Sequence, residues 1–294
     1  MSEIVAGANG FETKGLTEQA LRRRYVARRL LHSPTFMVGF GIILFWVVMA
    51  LFSRFITRFG PLEIDPLNTL AGPSAMHWFG TDDLGRDVLS RTLAGAGPVL
   101  AVAPIATGLA LAAGTTIALV AGYYRGLVDE ILMRLVDVLL SIPVVIAGIV
   151  VLSLLGSSVP VVVLVIAVLF TPTVARTVRA AVVAEREREY VKAARLRGER
   201  SWFLLVAEIL PNCLSPIIVE GTVRLGYAVF TAATLSFLGF GLQPPSPDWG
   251  LTISLQRHFI QVAPWTTLLP ALALATLVVG ANLVADGLRR TLSE

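Results

Sequence analysis

Apolar residues occur in six long runs, separated by polar segments or by segments rich in glycine and proline. About 20 mostly apolar residues in a helix cross the hydrocarbon core of a bilayer. The third and fourth runs are separated only by a turn around Gly156, which favours a tight helical hairpin. The pattern therefore predicts an all-α, polytopic membrane protein with six spans, at residues 36–52, 99–122, 132–155, 159–178, 204–235 and 265–285.

The composition agrees with a membrane location. Hydrophobic residues make up 55% of the chain and charged residues 15%, against roughly 25% charged in soluble proteins. The first run follows an arginine-rich stretch, as in a signal peptide, but it is longer than a secretory apolar region and no small-residue cleavage site follows. A retained span is the favoured interpretation. The single cysteine, Cys213, excludes an intramolecular disulfide, and no Cys and His set has zinc-ligand spacing.

The positions of the 24 lysines and arginines predict the orientation, because basic loops are retained on the cytoplasmic side. Most of them fall in the N-terminal arm, the turn after the second run, the loop after the fourth run and the tail. Both termini and that loop are therefore expected in the cytoplasm. This asymmetry explains the isoelectric point near 9.6 without a nucleic-acid partner. The arginines expected on the opposite side are Arg54, Arg58, Arg86, Arg91 and Arg257.

The chain divides into four predicted segments. Residues 1–35 form a cytoplasmic arm, in which Leu21, Tyr25, Val26 and Leu30 lie near one helical face. This pattern fits a surface helix whose arginines reach lipid phosphates, or a basic arm that only sets the topology. The remaining predicted segments are the first span with a long outer loop at 36–98, a membrane core at 99–285 with a charged loop at 179–203, and a tail at 286–294.

Residues 185–202, here called the charged island, interrupt the apolar core with charges of alternating sign. Alternation and helix-forming residues predict a helix over 185–197, closed by Gly198 in a left-handed turn, and a second helix capped by Ser201. Tyr190, Ala193, Ala194 and Arg197 recur at spacings of three and four. Two small side chains on one face would permit close approach by a partner surface.

The island also carries a resemblance. The stretch KAARLRG, nine residues and then EILP resembles the EAA loop of binding-protein-dependent ABC transporter permeases, E-A-A-x3-G-x9-I-x-L-P. Five positions match, namely Ala193, Ala194, Gly198, Leu210 and Pro211, whereas Lys192 and Glu208 depart from the pattern. Residues 77–96, 133–143 and 235–250 are similar to the C-type permeases of dipeptide, oligopeptide and nickel importers.

The resemblance implies the type I ABC importer permease fold, in a bacterial or archaeal cytoplasmic membrane. It implies these partners: a homologous second permease, two ATPase subunits or one as a homodimer, an extracytoplasmic solute-binding protein, and membrane lipids. ATP and Mg would bind the ATPases, and this chain would carry no cofactor and no catalytic residue. The residues implied in ATPase docking are Glu189, Tyr190, Lys192, Ala193, Ala194, Arg197, Gly198, Leu210 and Pro211.

The residues agree with this division of labour. A P-loop requires Gly-Lys-Ser/Thr, and the only lysines, Lys14 and Lys192, are followed by Gly15 and Ala193. Two other classes remain open: a secondary transporter, whose paired half-repeats are not evident here, and a non-transporting membrane scaffold. Peptides are the favoured substrates by family frequency, with nickel or another small solute as the alternative.

The first outer loop holds Asp82, Asp83, Arg86 and Asp87 close together. A calcium site of the EF-hand type is disfavoured, because Leu84 and Gly85 interrupt the required spacing. We expect Asp82 or Asp83 to cap a short helix and Arg86 to pair locally. The resemblance places this segment near the docking surface for the binding protein. Trp249, after a proline-rich turn, is expected at the membrane interface as a lid or an anchor, and with the four residues above it is a candidate for docking the binding protein.

Glu220 and Arg224 lie inside the fifth predicted span at an i, i+4 spacing. A charge within the bilayer costs about 2.5 to 3.5 kcal/mol on insertion scales, so the two side chains are expected to pair with each other or to face water. They would then lock neighbouring helices together or line the path of a zwitterionic peptide. Asp137, near Arg134, and Asp286, near Arg289, are expected to be structural.

Overall fold

The computed structural model describes residues 29–293, and the described part is helical with no strand. Residues 1–28, which include most of the predicted arm helix, lie outside the described residues. The all-α prediction is confirmed. The helices are α1 Pro34–Ile56, α2 Val88–Ala94, α3 Ala96–Tyr124, α4 Gly126–Ser141, α5 Val144–Leu155, α6 Val159–Arg186, α7 Glu189–Leu196, α8 Ser201–Asn212, α9 Leu214–Phe237, α10 Trp249–Gln256 and α11 Trp265–Ser293.

Four helical stretches in the described residues are long and apolar enough to cross a membrane unaided. They are α1, the α2–α3 stretch, α6 and α11. Two further helix pairs meet the same test only when each bent pair is counted as one crossing. Six crossings are reached in this way, at the places where the apolar runs predict them.

The third predicted span is not one helix. It divides into α4 and α5, which meet at an angle of 87°. Pro143 stands at the break, and proline both lacks an amide hydrogen and disfavours a helical conformation in the residue before it. Only α5 therefore forms the predicted hairpin with α6, through the turn at Gly156, whose φ is +82°.

The fifth predicted span is also bent, by 65° between α8 and α9. Residues Leu204–Ile209 of α8 form a wide helical turn, in which the amide of Leu210 donates to the carbonyl of Leu205. Pro211 follows this turn and has no amide hydrogen for the carbonyl four residues earlier, so a regular α-helix would lose that bond. The proline in EILP therefore accounts for the irregular backbone.

The helices pack around two apolar clusters. The larger joins α1, α3, α6, α9 and α11, and the smaller joins α3, α6, α7 and α8 at the end of the bundle that holds the island. The α3–α6 pair contributes to both clusters. The helices approach closely here because Gly114 and Gly122 of α3 face Val174 and Val182 of α6.

Replacing Gly114 by alanine is expected to destabilise the bundle by about 1 to 3 kcal/mol, as overpacked cores do. A Cβ at this position would lie 2.6 Å from Cβ of Val174. The matched control is Gly108→Ala on the same helix, where nothing lies within 4 Å of the added atom. Thermal unfolding of the two purified variants in detergent measures the difference. Equal midpoints would contradict the close packing of α3 on α6.

Candidate functional site

The charged island is folded against the bundle. Val191 and Ala194 of α7 are buried in the smaller apolar cluster, together with Leu204, Leu205 and Ile209 of α8. The prediction of one helix over 185–197 is wrong, because α6 continues to Arg186 and a break precedes α7. The break lets α7 turn its apolar side toward the bundle.

A polar network joins two residues of the island to α8 and so connects α6, α7 and α8. The Tyr190 hydroxyl donates to Oε1 of Glu185 at 2.6 Å and accepts from Nδ2 of Asn212 at 3.0 Å. Asn212 also donates to the carbonyl of Glu208 at 2.8 Å. Partial burial and the hydrogen bond to the Glu185 carboxylate raise the pKa of Tyr190. Its hydroxyl therefore stays protonated and acts as the donor in that bond. These hydrogen bonds link α7 to both α6 and α8.

The turn after α7 has the predicted left-handed geometry, with φ of +79° at Gly198. The prediction that Ser201 caps the next helix is wrong. Arg200 occupies the N-cap position and Ser201 is the first helical residue. Its hydroxyl instead accepts a hydrogen bond from Tyr123 at 3.3 Å. The Arg195 guanidinium lies 5.3 Å above the ring of the same tyrosine. The turn is thus tied to α3.

The exposed surface of the island differs from the predicted one. Ala193 is exposed, but Ala194 is fully buried, so the prediction of one open face containing both alanines is wrong. Their side chains point about 100° apart on the helix, and only one can face the bundle. Two apolar residues that sequence reasoning missed are exposed instead, Leu196 at 90% and Trp202 at 74%. Val191 and Ala194, three residues apart, define the apolar face of α7, and Leu196 lies outside that face. An apolar residue outside the apolar face of a helix is the sequence pattern that could have predicted its exposure.

The other predicted docking residues fall into two groups. Glu189, Lys192, Arg197 and Gly198 are exposed, and the Lys192 ammonium lies 3.7 Å from Glu189 within α7. Leu210 and Pro211 belong to α8, and their evident role is the wide turn that precedes α9. The unusual Lys192 thus has a carboxylate partner in its own helix.

The loop between α1 and α2 is organised by buried charges. Asp82 accepts from the Arg86 guanidinium at 2.7 Å and from the backbone amides of Leu84 and Arg86. Local pairing of Arg86 is therefore confirmed. The expectation that Asp82 or Asp83 caps the short helix is wrong, because Asp87 caps α2 by accepting from the amide of Ser90 at 2.8 Å.

Most of the residues predicted to dock a binding protein are buried, namely Asp82, Arg86, Asp87 and Trp249. Trp249 is fully buried, and its indole donates to the carbonyl of Thr92 at 2.7 Å, so the prediction of an exposed lid or a lipid-facing anchor is wrong. Asp83 alone of this set is partly exposed, and it accepts from Gln256. These side chains hold the loop against α10 and do not form an open surface. Among the described residues no group of three His, Cys, Asp or Glu could hold a metal.

Glu220 and Arg224 pair as the spacing predicts. The Arg224 Nε atom lies 2.6 Å from Oε1 of Glu220, and the guanidinium lies 5.0 Å from the centre of the Tyr227 ring. Both side chains are largely buried. Neither side chain lines the two apolar grooves or the charged groove between the described helices. The geometry agrees with a structural pair in α9.

Three cavities of several hundred Å³ lie along the described helices. An apolar groove of about 470 Å³ runs between α1, α3, α9 and α11, and another of about 420 Å³ lies near the α5–α6 turn. The third, of about 390 Å³, is charged and separates α4 from α6. It places Asp137 opposite Arg176 of α6, with which it forms an ion pair.

Comparison with known proteins gives consistent matches. Residues 114–294 match the family described as the binding-protein-dependent transport system inner membrane component. Residues 22–73 match the N-terminal transmembrane domain of oligopeptide transport permease C. The dipeptide transport system permease protein DppC of Alkalihalophilus pseudofirmus is 40% identical over 92% of this chain and 88% of the relative. The glutathione transport system permease protein GsiD of Pectobacterium atrosepticum is 36% identical over 90% and 88%.

Proposed function

The chain belongs to the family of binding-protein-dependent transport system inner membrane components, and from this membership we propose that it forms half of the membrane pathway of an ATP-driven importer of short peptides. As a member of this family it is a non-catalytic permease subunit. The resemblance to importer permeases is thereby confirmed at the level of the family.

The proposed substrates are dipeptides and other short peptides. Relatives named as dipeptide and as glutathione permeases align over 90% or more of this chain, and glutathione is itself a tripeptide. The partners would be a homologous second permease, an extracytoplasmic solute-binding protein that delivers the peptide, and ATPase subunits that bind ATP and Mg. The sequence lacks a phosphate-binding loop, which supports an energy source on another chain.

The proposed orientation places both termini and the charged island in the cytoplasm. It rests on the excess of lysine and arginine on that side. In this orientation the arm at 1–35, the coupling loop at 179–203 and the tail at 286–294 are cytoplasmic. The first span and outer loop occupy 36–98, and the membrane core occupies 99–285.

The island is the proposed docking site for an ATPase, and one observation carries this assignment. The island buries Val191 and Ala194 in the bundle, whereas Leu196 at the end of α7 and Trp202 at the start of α8 are 90% and 74% exposed. Apolar side chains so exposed, with arginines around them, are typical of an interaction site. Ala193, Arg197 and Gly198 of the island are exposed as well.

Docking there would transmit force into the spans. Tyr190 and Asn212 link α7 to α8, which continues through a bend into α9, and Val191 packs near α6. Nucleotide-driven closure of two ATPases would move α7 as a lever and tilt these spans. The result is alternating access: the path opens to one side of the membrane and then to the other.

Replacing Leu196 by aspartate is expected to weaken ATPase binding about 30-fold or more, as for an interface hot spot worth at least about 2 kcal/mol. The measurement is the amount of ATPase subunit co-purified with the tagged chain from membranes. The matched control is Leu67→Asp, since Leu67 is 94% exposed but lies on the loop between α1 and α2. Both variants should fold, because neither leucine packs against the chain.

Undiminished recovery of the ATPase with Leu196→Asp would refute docking at this surface. If no ATPase accompanies even the unmodified chain, a secondary transporter or a membrane scaffold becomes the better reading. Uptake of labelled dipeptides is measured in cells that carry either variant. Loss of uptake with Leu196→Asp alone supports both proposals. Absence of uptake with Leu67→Asp, when the ATPase still co-purifies, contradicts the substrate proposal and leaves the docking proposal intact.

A further inference from the structure

The apolar groove of about 470 Å³ lies along one side of α1, between that helix and α3, and α9 and α11 complete its lining. Every residue that lines it is apolar or glycine. Four of them belong to α1, namely Ile43, Val47, Ala50 and Leu51. Because successive residues of an α-helix are about 100° apart, these four share one side of α1. The groove therefore runs parallel to α1 over this stretch.

The groove side of α1 is next to the side by which the helix packs on the bundle. The buried residues of α1 are Gly39, Trp46 and Ser53, at intervals of seven. Gly39 meets α11 so closely that a Cβ added to it would lie 2.7 Å from the carbonyl oxygen of Gly280. The Trp46 indole donates to Oγ1 of Thr276 at 3.0 Å. These contacts fix α1 on α11, so the space between α1 and α3 is a stable feature of the fold.

The length of the groove matches the depth of one leaflet. Ile43 and Leu51 are eight residues apart, which corresponds to about 12 Å along the helix axis. The hydrocarbon layer of one leaflet is about 15 Å deep, half of the full core. Ile43 lies near the middle of α1 and Leu51 near its end at Ile56, so the groove occupies the leaflet next to the α1–α2 loop. An apolar groove of this length suits one acyl chain of a membrane lipid.

A cation lies just beyond the end of the groove. Arg54 follows Leu51 by three residues and Val47 by seven, so it lies on the groove side of α1, about 4.5 Å further along the axis. Its side chain is exposed, and among residues 29–293 it has no ion pair, hydrogen bond or ring contact. The guanidinium therefore lies at the depth of the lipid headgroups. Arginine binds phosphate there by charge-assisted hydrogen bonds.

We propose that the groove and Arg54 form a binding site for one phospholipid, whose acyl chain lies in the groove and whose phosphate accepts hydrogen bonds from the Arg54 guanidinium. The leaflet concerned is the one next to the α1–α2 loop, which is the outer leaflet in the orientation proposed above. The bound chain fills the space between α1 and α3 and so supports α1 on a second side. The site requires neither the peptide nor the ATPase, so it does not depend on the proposed function.

A helix of another subunit is the other occupant that an apolar groove could accept. Such a helix would cover the Arg54 guanidinium, and burying that charge requires an acidic partner at the same depth in the membrane. A phospholipid carries a phosphate at this depth and needs no further group to pair the charge. The unpaired arginine therefore favours a lipid over a helix.

The test counts the lipids bound to the full chain by native mass spectrometry, after purification in a mild detergent and titration with phosphatidylglycerol. We expect one tightly bound phosphatidylglycerol per chain. Arg54→Gln and Val47→Trp should each weaken this binding about 10-fold or more, because the first removes the charge-assisted hydrogen bonds and the second fills the groove. Diacylglycerol with the same acyl chains should bind as weakly as these variants bind phosphatidylglycerol, since it has no phosphate.

Each variant has a matched control. Arg257→Gln removes another exposed arginine expected on the same side of the membrane, which contacts the Phe237 ring and does not line the groove. Val48→Trp places the same ring on the neighbouring residue, which is exposed and also outside the lining. Both controls should bind phosphatidylglycerol like the unmodified chain. Arg54→Lys keeps the charge and should bind more tightly than Arg54→Gln.

The proposal is overturned if Arg54→Gln binds phosphatidylglycerol as tightly as the unmodified chain, or if diacylglycerol does. Arg54→Gln changes an exposed side chain near the end of a helix, so this arm remains decisive even if Val47→Trp does not fold. It is also overturned if Val47→Trp, but not Val48→Trp, prevents recovery of a second permease with the tagged chain, because the groove then holds a protein helix. Lipid counting uses no ATPase and no peptide, so a negative result there leaves the proposed function intact.

Discussion

Replacing Ala194 by phenylalanine is expected to lower the free energy of unfolding by about 3 kcal/mol or more, the upper range for an overpacked core. Ala194 of α7 is fully buried against α6 and α8. A phenyl ring cannot be accommodated there unless the helices move apart. The same change at Ala193, its exposed neighbour, should alter the free energy of unfolding by no more than about 0.5 kcal/mol.

The measurement is the thermal midpoint of each purified variant in detergent, together with recovery of the ATPase. Ala194→Phe should lower both, because the island loses its anchor. Ala193→Phe should lower only ATPase recovery, since it changes the proposed contact surface and not the core. A pair of variants with the same midpoint would mean that α7 is not packed on the bundle as described.

Replacing Trp249 by alanine is expected to cost about 3 to 5 kcal/mol of stability, the range for large buried aromatic residues. Its ring is fully buried, meets Trp46 of α1 edge-on with centroids 4.8 Å apart, and donates to the carbonyl of Thr92. Removal leaves a cavity where α1, α2 and α10 meet and an unpaired carbonyl. Thermal unfolding in detergent measures the loss.

The control for this prediction is Trp78→Ala. Trp78 is more than half exposed and contacts the Arg58 guanidinium at 5.4 Å from its ring centre. Its loss should change the midpoint little, because few of its atoms leave water on folding. If Trp249→Ala is as stable as Trp78→Ala, the loops around α10 do not form the core described here.

Several features of the site follow from local rules. The left-handed turn at Gly198 and the Glu220–Arg224 pair each depend on residues within four positions of one another. Such contacts are set by helix geometry, so their sequence predictions are correct. The island's amphipathic helix is predicted for the same reason, although its start lies four residues later than expected.

The errors concern the direction in which a side chain faces. The sequence predicts Ala194 and Trp249 at contact surfaces, but both are buried. Trp249 contacts Thr92, 157 residues away in the chain, and no local pattern indicates that partner. Asp137 is expected to be structural, and its partner Arg176, 39 residues away on another helix, is likewise not indicated by any local pattern.

The sequence by itself determined that the chain is an all-helical membrane protein, where its apolar runs cross the bilayer, and which loop is the charged exception. Those properties depend on the composition of consecutive residues, since each span must satisfy its own backbone in hydrocarbon. Only the tertiary structure decided which face of α7 is anchored, which charges fasten α4 to α6, and where the spans bend. Burial and ion pairing between distant segments exist only once the helices are packed, because they depend on the positions of two elements and not on the pattern within either one.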